Sequence, residues 1–228
     1  MKETLEGVEL LRDLPPAELE ALAKRCLWRR YGAKQEILSY QDDTKDVTFV
    51  IQGRVRVVIY SVSGKEVSFR DIDAGNYFGE FSAIDGKPRS ASVVALTDTL
   101  VAFMPGSVFW EVLRDHPSVA AAILKQLTAL LRLYSERVFE FSTLAVNNRI
   151  HAELLRLARD HANGKNEAAI TPAPTHAEIA SRVSTSREAV TRELNTLARN
   201  GLVEQHGREL RVLDLDQLSH MVEEVLGE

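Results

Sequence analysis

The sequence predicts an α+β chain with an N-terminal antiparallel β-roll, one long helix, and a C-terminal helix-turn-helix with a β wing. Between Ile37 and Met104, short β-branched and aromatic segments alternate with turn residues, as in a small barrel or roll. After Pro105 the apolar residues recur at three- and four-residue steps, which indicates helices. The predicted domains are residues 1–116, 117–145 and 146–228.

The β-roll is predicted from strand-like segments that Asp-Asp, Gln-Gly, Ser-Gly-Lys and Ala-Gly-Asn separate. The segments are QEILSY, VTFVIQ, RVRVVIYS, KEVSFRDI, SASVVAL and TLVAFM. The stretch RVRVVIYSVSGKEVSFRDI alternates on each side of Ser-Gly and predicts a hairpin. A short helix is expected before the roll, over PPAELEALAKRC at residues 15–26, with proline in its first turn.

Composition excludes several classes of protein. The single cysteine, Cys26, rules out a disulfide or a cysteine-rich metal or iron–sulfur site within one chain. All six histidines lie beyond residue 115, so the N-terminal half offers none to a metal or haem. No apolar run approaches bilayer length and no signal-peptide core is present, so we expect a cytoplasmic protein without a membrane partner. Nucleotide-binding glycine motifs and a nucleophile–base constellation are absent, so an enzyme is not expected.

The long helix carries an apolar seam at alternating four- and three-residue steps. The predicted seam is Ile123, Leu127, Leu130, Tyr134, Phe141 and Leu144, interrupted by Arg137. Such a helix either packs on its own domain or pairs with a second copy. The heptad-like spacing favours a homodimer through this helix.

The segment THAEIASRVSTSREAVTRELNTLARNGLV predicts two helices joined by a tight break, and LVEQHGRELRVL predicts a hairpin wing. The boundary signals are capping-box pairs at Thr175–Glu178 and Thr185–Glu188, a stop at Asn200-Gly201 and a two-residue turn at His206-Gly207. Together they predict a winged helix-turn-helix.

Three charged residues near the start of the second helix point to DNA. Arg187, Glu188 and Arg192 fall within an arc of about 140° on that helix. Arginine can bind guanine O6 and N7, and glutamate can accept from cytosine N4. Glu188 has the alternative roles of a cap at Thr185 or an i,i+4 partner of Arg192. The net charge of −5 argues weakly against DNA, but six arginines face four glutamates between Arg182 and Arg211.

The stretch YFGEFSAIDGKPRSASVVA, residues 77–95, combines groups that suit a phosphate and a sugar. A turn at Gly79-Glu80-Phe81 offers backbone N–H groups, and Arg89 offers a planar fork that matches a phosphate. Ser90 adds a hydroxyl, and ionised Glu80 accepts hydrogen bonds from a sugar hydroxyl. The alternative is a structural Glu80–Arg89 salt bridge across the turn.

In this order, the motifs resemble the cyclic-AMP receptor protein (catabolite activator) branch of the Crp–Fnr transcription-factor superfamily, essentially end to end. FGEFSAIDGKPRSASVVA resembles the phosphate-binding cassette of that family, and SREAVTREL resembles its recognition helix. The resemblance implies that Gly79 and Glu80 hold the ribose of cyclic AMP or cyclic GMP, and that Arg89 and Ser90 hold the phosphate. No metal, haem or iron–sulfur cluster is expected. The alternative is a regulator of the same superfamily that answers to another ligand or binds DNA constitutively.

Two residues depart from the pattern of the family. Its long helix supplies a Thr-Ser pair to adenine, where this sequence has Tyr134-Ser135. The larger phenol of Tyr134 makes cyclic GMP a candidate beside cyclic AMP, although Tyr134 also lies on the dimer seam. Ser184 stands where the family usually has glycine between the two helices, so we expect some backbone strain there.

The resemblance also assigns the DNA contacts. Arg187, Glu188 and Arg192 match the base-contacting trio of the family, which implies a palindrome of TGTGA-like half-sites. The positions that match contacts to DNA phosphates are Thr175, Ser186 and His206. RNA polymerase is a further implied partner, but the surfaces that recruit it do not match closely enough to assign residues. Activation and repression both stay open.

Overall fold

In a computed structural model, which describes residues 3–61, 66–162 and 164–226, the chain forms two compact units. The first is Met1–Leu131 and the second is Arg132–Glu228, so the boundary falls within the longest helix, α4 (Pro117–Thr143). No helix in the described ranges is long and apolar enough to cross a membrane.

The first unit contains two four-stranded antiparallel sheets. One has the order β1-β8-β3-β6, which are Leu27–Tyr31, Thr99–Met104, Val47–Gln52 and Tyr77–Phe78. The other has the order β2-β7-β4-β5, which are Glu36–Leu38, Ser92–Ala95, Arg54–Tyr60 and Glu66–Asp73. A cluster that includes Val50, Val101, Val55 and Ile72 joins the two sheets. The predicted β-roll is confirmed.

The six predicted strand segments correspond to β2–β5, β7 and β8, but two strands were not predicted. β1 has the sequence LWRRY, in which apolar and polar residues do not alternate. β6 has only two residues, too few to show a pattern. Because β4 and β5 pair antiparallel from Arg54–Asp73 to Tyr60–Glu66, the hairpin is confirmed. Its predicted Ser-Gly turn lies outside the described residues.

Helices cover the outer face of the β1-β8-β3-β6 sheet. They are a short 3-10 helix (Glu9–Leu11), α1 (Pro16–Ala23), α2 (Glu80–Asp85), α3 (Gly106–Asp115) and the start of α4. Both tryptophans of the chain belong to this unit and donate to helix carbonyls. Trp28 Nε1 donates to Ala23 O, and Trp110 Nε1 donates to Ala83 O of α2 at 2.8 Å.

Helix α4 carries two apolar faces. One is buried within the chain, and its members are Val119, Ile123 and Leu130, with Leu144 just beyond the helix. The other is exposed at Leu124, Leu131 and Val138, where 65%, 68% and 65% of each residue is accessible. The predicted seam was therefore wrong in part, since Ile123, Leu130 and Leu144 belong to the buried face. The buried face and the exposed face are shifted by one residue, which is about 100° around the helix. Both repeat every seven residues, so the spacing of apolar residues does not tell which face is buried.

The second unit is built from α5, the helix-turn-helix, a three-stranded sheet and α8. Its elements are α5 (Val146–Arg159), β9 (Ala168–Ile170), α6 (His176–Arg182), α7 (Arg187–Arg199), β10 (Val203–His206), β11 (Glu209–Val212) and α8 (Leu215–Leu226). The sheet has the order β10-β11-β9, so β9 adds a strand to the predicted wing. The predicted winged helix-turn-helix is confirmed.

The start of α6 matches the prediction, but the start of α7 does not. The Thr175–Glu178 capping box is present. α7 is capped by Ser186, which accepts from Ala189 N, instead of by Thr185. The reason is that Ser184 adopts φ +53° and the Thr185 N–H bonds Ala180 O, which keeps Thr185 within the turn.

The wing turn lies one residue later than predicted. His206 pairs with Glu209 at the end of the ladder, so the two-residue turn is Gly207-Arg208 and not His206-Gly207. Gly207 takes φ +58°, which suits such a turn. The predicted stop of α7 is confirmed, since the helix ends at Arg199 and Gly201 has φ +73°.

Candidate functional site

The first candidate site lies where β6 leads into α2. Gly79 caps α2 with φ +84°, so the predicted turn Gly79-Glu80-Phe81 is in fact the first turn of a short helix. A Cβ on Gly79 would lie 2.7 Å from Arg89 Nη1 and 2.9 Å from Asp46 O. Only glycine fits this position without displacement of its neighbours.

Arg89 is enclosed by the fold, with 2% of the residue exposed. Its Nη1 donates to Gly79 O and its Nη2 to Asp46 O, each at 2.9 Å, while its Nε donates to Thr44 Oγ1 at 3.0 Å. These acceptors are neutral. Burial lowers the pKa of the guanidinium, and the more distant carboxylates of Asp46, Asp42 and Glu80 oppose that effect.

Glu80 is also buried, with 2% exposed, and its ion-pair partner is Arg70 of β5. Arg70 Nη2 lies 3.6 Å from Glu80 Oε1, whereas Arg89 bonds the neutral acceptors, so the alternative Glu80–Arg89 salt bridge is not what the structure shows. Burial raises the pKa of Glu80, and Arg70 opposes the rise. Sequence reasoning missed Arg70 because β5 and α2 are separate elements that only tertiary folding brings together.

The structure brings Gly79, Glu80 and Arg89 together in the first unit. Phe81 is 38% exposed and Ser90 is exposed beside them in sequence. Tyr134 and Ser135 lie in the second unit, on α4, where Tyr134 is half-buried and Ser135 is exposed.

The second candidate site is the exposed face of the helix-turn-helix. All six predicted contact residues are exposed, five at or beside α6 and α7 and the sixth on β10 of the wing: Thr175, Ser186, Arg187, Glu188, Arg192 and His206. Hydrogen bonds from its own backbone N–H and from the Ser186 hydroxyl lower the pKa of Glu188, with Arg187 and Arg192 contributing. His206 Nε2 lies 2.9 Å from Glu204 Oε2. The face therefore presents two arginines and an ionised glutamate to solvent.

Neither a metal cluster nor a reactive thiol is found in the part of the chain that the structure describes. No three His, Cys, Asp or Glu side chains there are arranged to hold a metal ion. Cys26 is partly buried, and burial raises its pKa to about 11, which leaves almost no thiolate at neutral pH.

Comparison with known proteins gives the family. Residues 28–116 match the model of the cyclic nucleotide-binding domain, and residues 148–221 match the Crp-like helix-turn-helix domain. The chain belongs to the Crp–Fnr family. As a Crp–Fnr member it is a DNA-binding transcription regulator with a cyclic nucleotide-binding domain, and not an enzyme.

Similar Crp–Fnr proteins cover nearly the whole chain. The cAMP-activated global transcriptional regulator CRP of Salmonella typhimurium is 28% identical over 195 residues, 85% of this chain and 93% of that protein. A CRP-like cAMP-activated global transcriptional regulator of Mycobacterium tuberculosis is 23% identical over 220 residues, 96% and 98% of the two chains. The solved structure of a CooA mutant from Carboxydothermus hydrogenoformans has a TM-score of 0.78 at 23% identity, covering 87% of this chain and 88% of that one.

Proposed function

We propose that this Crp–Fnr protein is a cyclic-nucleotide-responsive regulator. It binds cyclic AMP or cyclic GMP through the cassette around Arg89 and then, as a homodimer, a palindromic TGTGA-like promoter site. RNA polymerase is the further partner.

The buried cation Arg89 is the observation that carries the ligand proposal. A buried charge is costly unless an opposite charge compensates it, and the direct partners of Arg89 are neutral. A cyclic phosphate would supply the missing negative charge, with Ser90 as an added donor. Buried Glu80 would accept from the ribose hydroxyl beside Gly79 and Phe81. One phosphate next to one free sugar hydroxyl describes a 3′,5′-cyclic nucleotide.

The choice of base is assigned by the family resemblance to Tyr134 and Ser135 of α4. The relatives from Salmonella typhimurium and Mycobacterium tuberculosis are named as cAMP-activated, which supports cyclic AMP. Tyr134 in place of threonine keeps cyclic GMP as the second candidate.

The dimer and its DNA contacts rest on two exposed surfaces. Leu124, Leu131 and Val138 lie seven residues apart on one face of α4, which is the spacing of a two-helix seam. On each α7, Arg187, Glu188 and Arg192 would contact bases, while Thr175, Ser186 and His206 would contact phosphates. In helix-turn-helix dimers the two recognition helices lie about 34 Å apart, one turn of DNA.

The test is fluorescence anisotropy of a labelled TGTGA–TCACA duplex titrated with protein alone, with cyclic AMP and with cyclic GMP. We expect tighter binding with at least one nucleotide. If only one nucleotide tightens DNA binding, that result assigns the base. If both tighten it, the pocket selects for phosphate and ribose and not for the base. Tight, specific binding that neither nucleotide changes would overturn the effector and favour the alternative of another ligand or none.

Two variants, each with one arginine replaced, show whether the enhancement depends on the cassette. Arg89→Gln should abolish the enhancement while the nucleotide-free protein still binds the duplex. Arg30→Gln changes an exposed arginine of the same unit and should keep the full enhancement. Full enhancement in Arg89→Gln would overturn the role of Arg89.

A further inference from the structure

A buried charge cluster joins the end of the long helix to the DNA-binding helices. Glu153 of α5, with 1% of the residue exposed, accepts from arginines of three helices. The donors are Arg137 of α4 at 3.1 Å, Arg156 of α5 at 2.5 Å and Arg182 of α6 at 3.1 Å. Arg156 also donates to Glu140 of α4 at 2.7 Å.

A second buried pair extends the connection to the recognition helix. His151 Nε2 of α5 lies 2.6 Å from Glu193 Oε1 of α7, and their side chains are 6% and 10% exposed. Polar contacts therefore run from α4 through α5 to both helices of the helix-turn-helix.

These polar contacts matter because α4 does not take part in the apolar packing of the second unit, as far as the structure describes that unit. Over the described residues, the apolar cluster of this unit draws on α5, β9, α6, α7, the wing and α8, but on no residue of α4. Hydrophobic contacts are non-directional, whereas hydrogen-bonded ion pairs fix distance and angle. Beside the contact of Arg149 with the Phe141 ring, the buried contacts of Glu153 and its arginines therefore join α4 to the rest of this unit.

We propose that Glu153 is a positioning residue for DNA binding: held by Arg137 and Arg182 at once, it fixes α6 and α7 against the long helix. The proposal rests on the homodimer and palindromic site proposed above. In such a dimer, the geometry at Glu153 determines the separation of the two recognition helices. The half-site spacing that the protein accepts follows from it.

The experiment measures binding to duplexes whose two half-sites are moved closer or further apart by one or two base pairs. Wild-type affinity should fall by about tenfold or more away from the best spacing, at the scale of a mismatched site. Arg137→Met removes the direct bond from α4 to Glu153 and keeps most of the volume; it leaves Glu153 paired with Arg156 and Arg182, and Arg156 paired with Glu140 of α4. It should flatten the spacing preference at least about fivefold.

Three further variants test the positioning role. Arg182→Met breaks the contact on the α6 side and should flatten the preference in the same way, and the double variant should add little because the contacts act in series. Arg159→Met, an exposed arginine on α5, is the control and should keep the wild-type preference.

The outcomes are distinct. Wild-type spacing selectivity in both Arg137→Met and Arg182→Met would overturn the proposal, as would an equal loss of affinity at every spacing, which indicates a structural role alone. A wild-type protein indifferent to spacing would overturn the palindromic dimer and this inference with it. If Arg137→Met does not fold, as judged by circular dichroism, Arg182→Met decides the question.

Discussion

Arg89 and Gly79 depend on each other at the residue scale. The guanidinium donates to the Gly79 carbonyl and occupies the space that a side chain at Gly79 would need. A methyl group at residue 79 would therefore act on Arg89 as well as on the backbone.

We predict that Gly79→Ala destabilises the protein more than Gly86→Ala and also weakens nucleotide binding. Both glycines have positive φ, +84° and +71°, so both substitutions carry backbone strain of about 1–2 kcal/mol. A Cβ at Gly86 has nothing within 4 Å, whereas at Gly79 it would collide with Arg89. Urea denaturation and nucleotide titration check the pair, and equal effects would contradict the coupling of Gly79 to Arg89.

We predict that Glu80→Gln makes the nucleotide-free protein more stable near neutral pH. Burial raises the pKa of Glu80, so the wild-type protein loses stability as pH rises through that pKa, and glutamine does not. Arg70 and Arg89 oppose that rise in the pKa of Glu80, and Glu80 in turn adds to the rise that burial causes in the pKa of Tyr77. The difference should vanish below the unfolded pKa of about 4.3. Urea denaturation over a pH series measures it, and a less stable variant at neutral pH would contradict the prediction.

The same substitution should weaken cyclic nucleotide binding about tenfold, because a charged acceptor is exchanged for a neutral one. Isothermal titration calorimetry measures the loss. Unchanged affinity would mean that Glu80 does not bind the sugar.

Residue types in the cassette were predictable because Glu80, Arg89 and Ser90 lie close together in sequence. Their partners were not. Arg70 lies on β5 and reaches Glu80 of α2 only through the tertiary fold, and Asp46 and Thr44 belong to a loop distant in sequence. Arg137 did leave a signal, since it interrupts an apolar seam, but its partner Glu153 lies on the next helix.

At the scale of elements, α4 uses its two faces differently. The face of Ile123 and Leu130 is buried within the chain, whereas the face of Leu124 and Val138 is exposed and is the one that the proposed dimer would bury.

We predict that Leu124→Glu dissociates the dimer, because it places a charge on the exposed seam. Ala129→Glu introduces the same side chain at another exposed position of α4, about 140° away, and should leave the dimer intact. Sedimentation velocity measures the mass of each variant. A dimeric Leu124→Glu protein would contradict the assignment of the exposed face.

On α7 we predict that Arg187→Ala costs about 1–3 kcal/mol of DNA binding and relaxes base preference at one position of each half-site. Arg199→Ala, at the other end of the helix, should leave base preference unchanged. Titration of duplexes with each of the four bases at every half-site position measures both. An equal loss on all sequences for Arg187→Ala would mean a phosphate contact.

The helices and the Thr175 cap of the second unit were predictable because capping and apolar periodicity depend on residues close together in sequence. The one-residue errors at Thr185 and His206 arose where the backbone adopts positive φ, at Ser184 and Gly207. Side-chain spacing in the sequence does not reveal how many residues such a turn takes.

At the scale of the whole molecule, the chain divides into two compact units, and the function proposed above gives the nucleotide to the first and DNA to the second. The sequence predicted a β unit followed by a helical unit, because the apolar residues change from a two-residue to a helical period along the chain. The buried charge cluster at Glu153 was not predicted, because it depends on the packing of three helices.

We predict that cyclic nucleotide and DNA tighten each other equally. If nucleotide lowers the dissociation constant for DNA by a factor, typically about 5- to 150-fold, then DNA must lower that for nucleotide by the same factor. Calorimetric titration of nucleotide into free and DNA-bound protein supplies the second factor. Unequal factors would show that a further bound state takes part.

The two tryptophans are intrinsic fluorophores that lie in only one of the two units. Both lie in the first unit, and the indole of Trp110 is hydrogen-bonded to Ala83 of α2, the helix that Gly79 caps. With 45% of Trp110 exposed, its emission senses solvent as well as that bond. Tryptophan fluorescence therefore comes from the first unit alone, with Trp110 beside α2 and Trp28 beside α1. Nucleotide binding, as proposed for the first unit, should therefore change the tryptophan emission without a label, also in the presence of unlabelled DNA.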